Sequence, residues 1–226
     1  MSFADLFVAD AQDLAEHYPN RSEKAADGIV HAVGLVAAAI GAGVLFTFAL
    51  GKGGVSLASA TALYALCLLA MLACSAVYNL TRPSRARRVL RRLDEAAIFV
   101  MIAGSCTPFT SQLLPPAFAV SITSGVWIAA LALAFGKVAL PAISDRAWSV
   151  IYVAFGWAAA LSFVPILHGL TMLAIAMLAL GGLIYSAGVL IYLNHAVPFR
   201  RAIWHALVLL AAGIHYGAIM VALVLT

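Results

Sequence analysis

Residues 80–94 read L-T-R-P-S-R-A-R-R-V-L-R-R-L-D. Six arginines (Arg82, Arg85, Arg87, Arg88, Arg91 and Arg92) stand between two long apolar runs, and Asp94 begins the second run. Guanidinium groups are costly in hydrocarbon, and loops rich in Lys and Arg are retained on the cytoplasmic side of a membrane. The stretch therefore predicts the orientation of the segments on both sides of it. It also puts Asp94 and the polar end of the preceding helix at one membrane face.

The composition supports this reading. Of the 226 residues, 65% are hydrophobic and 10% charged, and the mean hydropathy is +1.05. A soluble domain needs more polar surface. Apolar runs of about 20 residues, the length that spans a hydrocarbon core as a helix, recur along the chain. The net charge of +4 resides mostly in the arginine stretch. It points to the anionic headgroups of a cytoplasmic leaflet at residues 82–92 and not to nucleic acid. Cys67, Cys74 and Cys106 lie inside apolar runs without metal-type spacing, and read as small buried residues. The first twenty residues are polar and acidic, so no cleavable signal is expected.

In chain order, residues 3–18 carry Phe3, Leu6, Phe7, Leu14 and Tyr18 at helical spacing. They predict a short interfacial helix within a cytoplasmic segment, 1–24. Pro19-Asn20 ends it, and Ser22 is the expected cap of the next helix. Residues 25–226 then predict an all-α membrane domain of seven spans, near 25–50, 55–80, 93–114, 117–135, 147–164, 170–193 and 202–225. Residues 51–54 and 165–169 are read as tight turns. With the N-terminus in the cytoplasm and the C-terminus outside, every one of the 13 Lys and Arg residues except Lys52 falls on the cytoplasmic side.

That topology sorts the polar residues by depth. His31, Ser75, Asn79, Asp94, Arg201 and His205 come from four helices to a similar level near the cytoplasmic end. Glu23, Asp27 and His31 are spaced four apart and share one helix face, as do Ser75 with Asn79 and Arg201 with His205. Ionisable groups held in apolar sequence suggest a shared polar site. His215 lies about 15 Å deeper than His205 and reads as a structural hydrogen-bonding partner. Trp148 and Trp204 read as interfacial anchors.

Four segments, E-K-A-A-D-G-I-V-H-A-V-G (23–34), S-A-V-Y-N (75–79), R-R-L-D-E-A-A-I-F-V-M-I-A-G-S-C-T-P-F (91–109) and P-F-R-R-A-I-W-H-A-L-V-L-L-A-A-G-I-H-Y (198–216), resemble the signatures of the hemolysin III family, within the progestin and adipoQ receptor superfamily. The resemblance implies a seven-helix bundle in the bacterial plasma membrane. It also implies a zinc site near the cytoplasmic face, held by one histidine of the second span and two of the seventh. A serine and an aspartate, matching Ser75 and Asp94, lie beside the bound water. Here Asn79 and Arg201 occupy two of the three ligand positions, and His205 alone is retained. Asparagine is a weak ligand and arginine is none, so the resemblance predicts a site that has lost its zinc and no other cofactor. In that case Arg201 would supply the missing positive charge by pairing with Asp94.

Two classes of function follow. One is a metal-free membrane protein acting in membrane homeostasis or regulation. The other is a metal-dependent hydrolase of lipid amides, in which Asp94 and Ser75 serve the reaction and His205 the metal. The family name adds a channel-forming or cytolytic alternative, for which no helix carries a continuous polar stripe. Membrane lipids are the expected partners.

Overall fold

The computed structural model describes residues 18–140 and 143–225. The interfacial helix expected over residues 3–18 lies outside them except for Tyr18. All regular elements among the described residues are helical: α1 (Arg21–Leu80), α2 (Arg85–Leu113), α3 (Pro116–Ala139), α4 (Asp145–Ala160), α5 (Met172–Leu193) and α6 (Arg200–Ile219). A 3₁₀ segment, Leu161–Gly169, prolongs α4, and a π-helical turn, Met220–Val224, prolongs α6. Among the described residues, six helical stretches are long and apolar enough to cross a membrane.

α1 is too long for one crossing. Its 60 residues would extend about 90 Å as a straight rod, three times the hydrocarbon thickness. The helix is broken at Gly54, where φ is 62° and ψ −154°, a backbone state essentially reserved for glycine. The two arms fold back on each other, because His31 Nε2 lies 3.2 Å from Ser75 Oγ. The reversal expected over residues 51–54 is thus concentrated in one residue, and Gly51 and Gly53 remain helical.

The first arm shows how its faces are divided. Ile29, Val33, Val36 and Ile40 are all at least 60% exposed and recur at i, i+4, i+7 and i+11, a lipid-facing stripe. Asp27, His31, Gly34, Leu45 and Ala49 form the opposite, buried stripe. At Gly34 an added Cβ would come within 2.6 Å of the Leu209 side chain, so this face packs closely on α6. At its start, Asn20 caps the helix by accepting from the Glu23 amide at 2.8 Å. Ser22, the cap expected from sequence, lies in the first turn and donates to Asn20 Oδ1.

Other boundaries shift for identifiable reasons. α2 starts at Arg85 and takes in most of the arginine stretch, since that stretch has no helix breaker after Pro83. Arg87 is fully buried, with its Nε donating to the Tyr78 carbonyl at 3.2 Å and its guanidinium 4.4 Å above the Tyr78 ring. Arg91 bonds Glu95 at 3.0 Å and Asp145 at 2.5 Å. Lys137 bonds Glu95 as well, so α2, α3 and α4 are tied at the basic end. Trp148 is buried beneath Lys137 and against Phe99, a core residue where an interfacial anchor was expected. Residues 165–169 continue a helix instead of turning.

The reversal makes a test. Gly54→Val should lower thermal stability in detergent by about 1–3 kcal/mol, the cost of forcing a side chain into this backbone region. Gly51→Ala, with open space where its Cβ would go, should leave the melting temperature unchanged or slightly raised.

Candidate functional site

At the basic end of the bundle, three helical segments bring polar side chains together. The first arm of α1 supplies Asp27, fully buried, and His31, 3% exposed. The second arm supplies Ser75 and Asn79, both buried, and α6 supplies His205. One ligand-type atom from each of Asp27, His31 and His205 falls within 4.8 Å of the others.

Asp27 is the hub. Its Oδ1 lies 2.6 Å from His205 Nδ1, and its backbone carbonyl lies 2.8 Å from His31 Nδ1. The Tyr18 hydroxyl donates to Oδ2. Burial first, and then the adjacent carboxylate, raise the Tyr18 phenol above its ordinary value, so it remains a donor. Arg201 lies with its guanidinium 5.1 Å from the centre of the Tyr18 ring. It thus approaches Asp27 through the phenol. The Asp94 carboxylate interacts with the Ser75 hydroxyl and is within electrostatic reach of His205, Glu95 and Asp27.

These contacts determine which imidazole nitrogens are available. A backbone carbonyl only accepts, so His31 Nδ1 carries a proton and Nε2 presents a lone pair. The Asp27 carboxylate likewise draws a proton to His205 Nδ1. Both Nε2 atoms then meet at one oxygen, Ser75 Oγ, at 3.2 Å from His31 and 3.4 Å from His205. Asn79 Nδ2 already donates to that oxygen at 3.3 Å and to the Ser75 carbonyl at 3.0 Å. The hydroxyl has one proton for two facing lone pairs and the Asp94 carboxylate. The rings cannot avoid each other, with centroids 4.4 Å apart. A positive charge resolves the conflict, either a proton on His205 beside Asp27 or a metal ion bound by the imidazoles.

The cluster opens into a cavity of about 370 Å³ inside the bundle. His31, Ser75, Asn79, Asp94 and His205 form one end, and His215 and Ile219 line it deeper in. Between them the wall is mostly apolar, with Met71, Leu72, Met101, Phe109, Phe163 and Val208, and includes Ser105.

Of the residues singled out from sequence, Ser75, Asn79, Asp94 and His205 are brought to one site, and Arg201 stands at its edge. His31, also expected at this depth, joins them as a partner of Ser75, and Asp27 and Tyr18 are additional members. The four-residue spacing of Asp27 and His31 on an otherwise apolar arm was the signal for that pair. Tyr18, read from sequence as the last apolar position of an interfacial helix, precedes α1 and gave no signal of a polar role.

A family model described as Haemolysin-III related matches residues 20–216. The chain is 28% identical over 188 residues to the "Hemolysin-3 homolog" of Bacillus subtilis (strain 168), across 83% of this chain and 88% of that protein. It is 26% identical over 187 residues to "Hemolysin-3" of Bacillus cereus, across 83% and 85%. No solved structure matches.

Asp27 should dominate the energetics of the site. Asp27→Asn removes the charge that His205 and Tyr18 address and should cost about 3–5 kcal/mol, as for breaking one partner of a buried pair. Tyr18→Phe removes one hydrogen bond to a charged acceptor and should cost about 1.5–3 kcal/mol. Thermal unfolding of the two variants in detergent would check the order.

Proposed function

Since the chain belongs to the Haemolysin-III related family of membrane proteins, we propose that its buried cluster holds a divalent zinc ion and cleaves an acyl bond, amide or ester, of a lipid whose chain lies in the apolar cavity. The observation carrying this reading is the convergence of His31 Nε2 and His205 Nε2 on Ser75 Oγ, with both Nδ1 atoms tied to Asp27. Imidazoles whose far nitrogens are fixed by a carboxylate or carbonyl are the usual zinc donors. The loss of two ligand positions at Asn79 and Arg201, which from sequence left one histidine, is offset by His31 from another helix. Together with His205 it makes two imidazole donors facing one point, and the Asp94 carboxylate stands beside them to act on the bound water.

Bound zinc would acidify a coordinated water toward ~7 and polarise the acyl carbonyl. The chain's own residues do the rest. Asp27 holds both imidazoles in one tautomer and orientation. Asp94, half-buried at the cavity wall, accepts the proton of the attacking water and returns it to the departing amine or alcohol. Ser75 and Asn79 position that water. The apolar wall takes the acyl chain and excludes bulk water from the site.

We also infer seven crossings, the two arms of α1 counting as two, with the N-terminus in the cytoplasm. The break at Gly54 and the placement of all Lys and Arg except Lys52 at one end support this. The surroundings would be the bacterial plasma membrane, with the outward-facing arginines of residues 82–92 against anionic headgroups. A second reading is favoured by the Ser75 hydroxyl, which already stands where the imidazoles meet. In it, a proton on His205 provides the positive charge, and the protein is a metal-free regulator of the membrane.

Elemental analysis of purified protein loaded with zinc separates the two. The hydrolase reading expects about one zinc per chain, lost in His31→Leu and in His205→Leu, with affinity falling as pH falls because the ligands must release protons. Near-zero metal in the parent, or full zinc in His31→Leu, would overturn it. Asp94→Asn should keep most of the zinc and lose about 10²–10⁴-fold in the rate of fatty-acid release from an N-acyl lipid.

A further inference from the structure

His215 has no part in the chemistry described above. It lies on α6 ten residues beyond His205, about 15 Å along the helix, in the wall of the same cavity. Its Nε2 lies 3.2 Å from the Leu178 carbonyl oxygen of α5. That oxygen only accepts, so Nε2 bears the proton and Nδ1 keeps a lone pair. Nδ1 has no hydrogen-bond partner among the described residues.

The ring is also held in place. A Cβ on Gly181 would lie 2.3 Å from its Cδ2, so α5 leaves a notch for the imidazole. Tyr185 packs edge-on at 5.6 Å between ring centroids. The Leu178 carbonyl lies inside α5 and is already served by the helical ladder. It has no need of the imidazole. A leucine at position 215 would suit an apolar wall without placing a polar ring in it.

The cavity thus has a polar head end, a mostly apolar middle and, at depth, an imidazole nitrogen oriented to accept. We propose that His215 is a specificity contact that accepts a hydrogen bond from a hydroxyl carried in the middle of a long acyl chain. The proposal rests on the reading of the cavity as an acyl-chain site. At about 1.2 Å per bond, the advance of an extended chain with three bonds per residue, 15 Å corresponds to roughly a dozen carbons from the head group. Because Nδ1 accepts, a hydroxyl is recognised and a keto group at the same carbon is not.

Stearic acid, 12-hydroxystearic acid and 12-oxostearic acid are the probes, and their binding to the purified full chain is measured by displacement of a fluorescent fatty acid. The hydroxy acid should bind about tenfold more tightly than stearic acid, the effect of one neutral hydrogen bond, and the oxo acid no more tightly than stearic acid. His215→Leu should abolish the preference, read as the ratio of 12-hydroxystearic to stearic acid affinity within the variant. Equal binding of all three probes by the parent, or a hydroxyl preference that persists in His215→Leu, overturns the inference and leaves the acyl-chain reading standing. Failure of the parent to bind any of the three overturns both.

Discussion

A single carboxylate, Asp27, organises the basic end of this bundle. It is fully buried, and a buried charge persists only when its oxygens are occupied by donors. His205 and Tyr18 meet those oxygens, while His31 is fixed on the same residue's backbone carbonyl. Each contact ties a different part of the chain: the segment preceding α1, the first turns of α1 and the start of α6. The carboxylate therefore sets the position of α6 and the tautomers of the two imidazoles together, linking fold to chemistry.

That arrangement depends on the reversal at Gly54. His31 and Ser75 are 44 residues apart in one nominal helix, and they touch only because a single backbone state outside the helical region folds the arms together. A second set of contacts, Arg91, Glu95, Lys137 and Asp145, joins α2, α3 and α4 on the other side of the cavity. Arg87, Arg91 and Lys137 are therefore internal ties. Part of the positive charge read from sequence as a membrane-facing surface is thus taken up by intramolecular pairs.

Near the candidate site, legibility varied by residue. Ser75, Asp94 and His205 stood out as polar groups at one depth in apolar sequence, and the structure places them together. Asp27 and His31 were visible as a spaced pair on one helix face. Their partners across the bundle were not visible, so His31 was placed at the right depth without its contact to Ser75. Tyr18 lay at the end of an expected amphipathic helix, and its hydrogen bond to Asp27 depends on how the chain enters α1. Trp148 looked like an interfacial aromatic. Its burial follows from the packing of α4 on Phe99 of α2, a contact no local pattern encodes.

The sequence by itself determined the solvent, the helical class and the approximate reversals of the chain. Runs of apolar residues and clusters of arginine have the same cost in hydrocarbon wherever they pack. Only the tertiary structure decided which polar groups meet. Helix rotation about its own axis, and the close approach allowed at glycines 34 and 181, set distances of a few ångströms between residues far apart in the chain. A hydrogen bond is made or lost within that range. Helical periodicity names the face a residue occupies, and packing alone determines its partner.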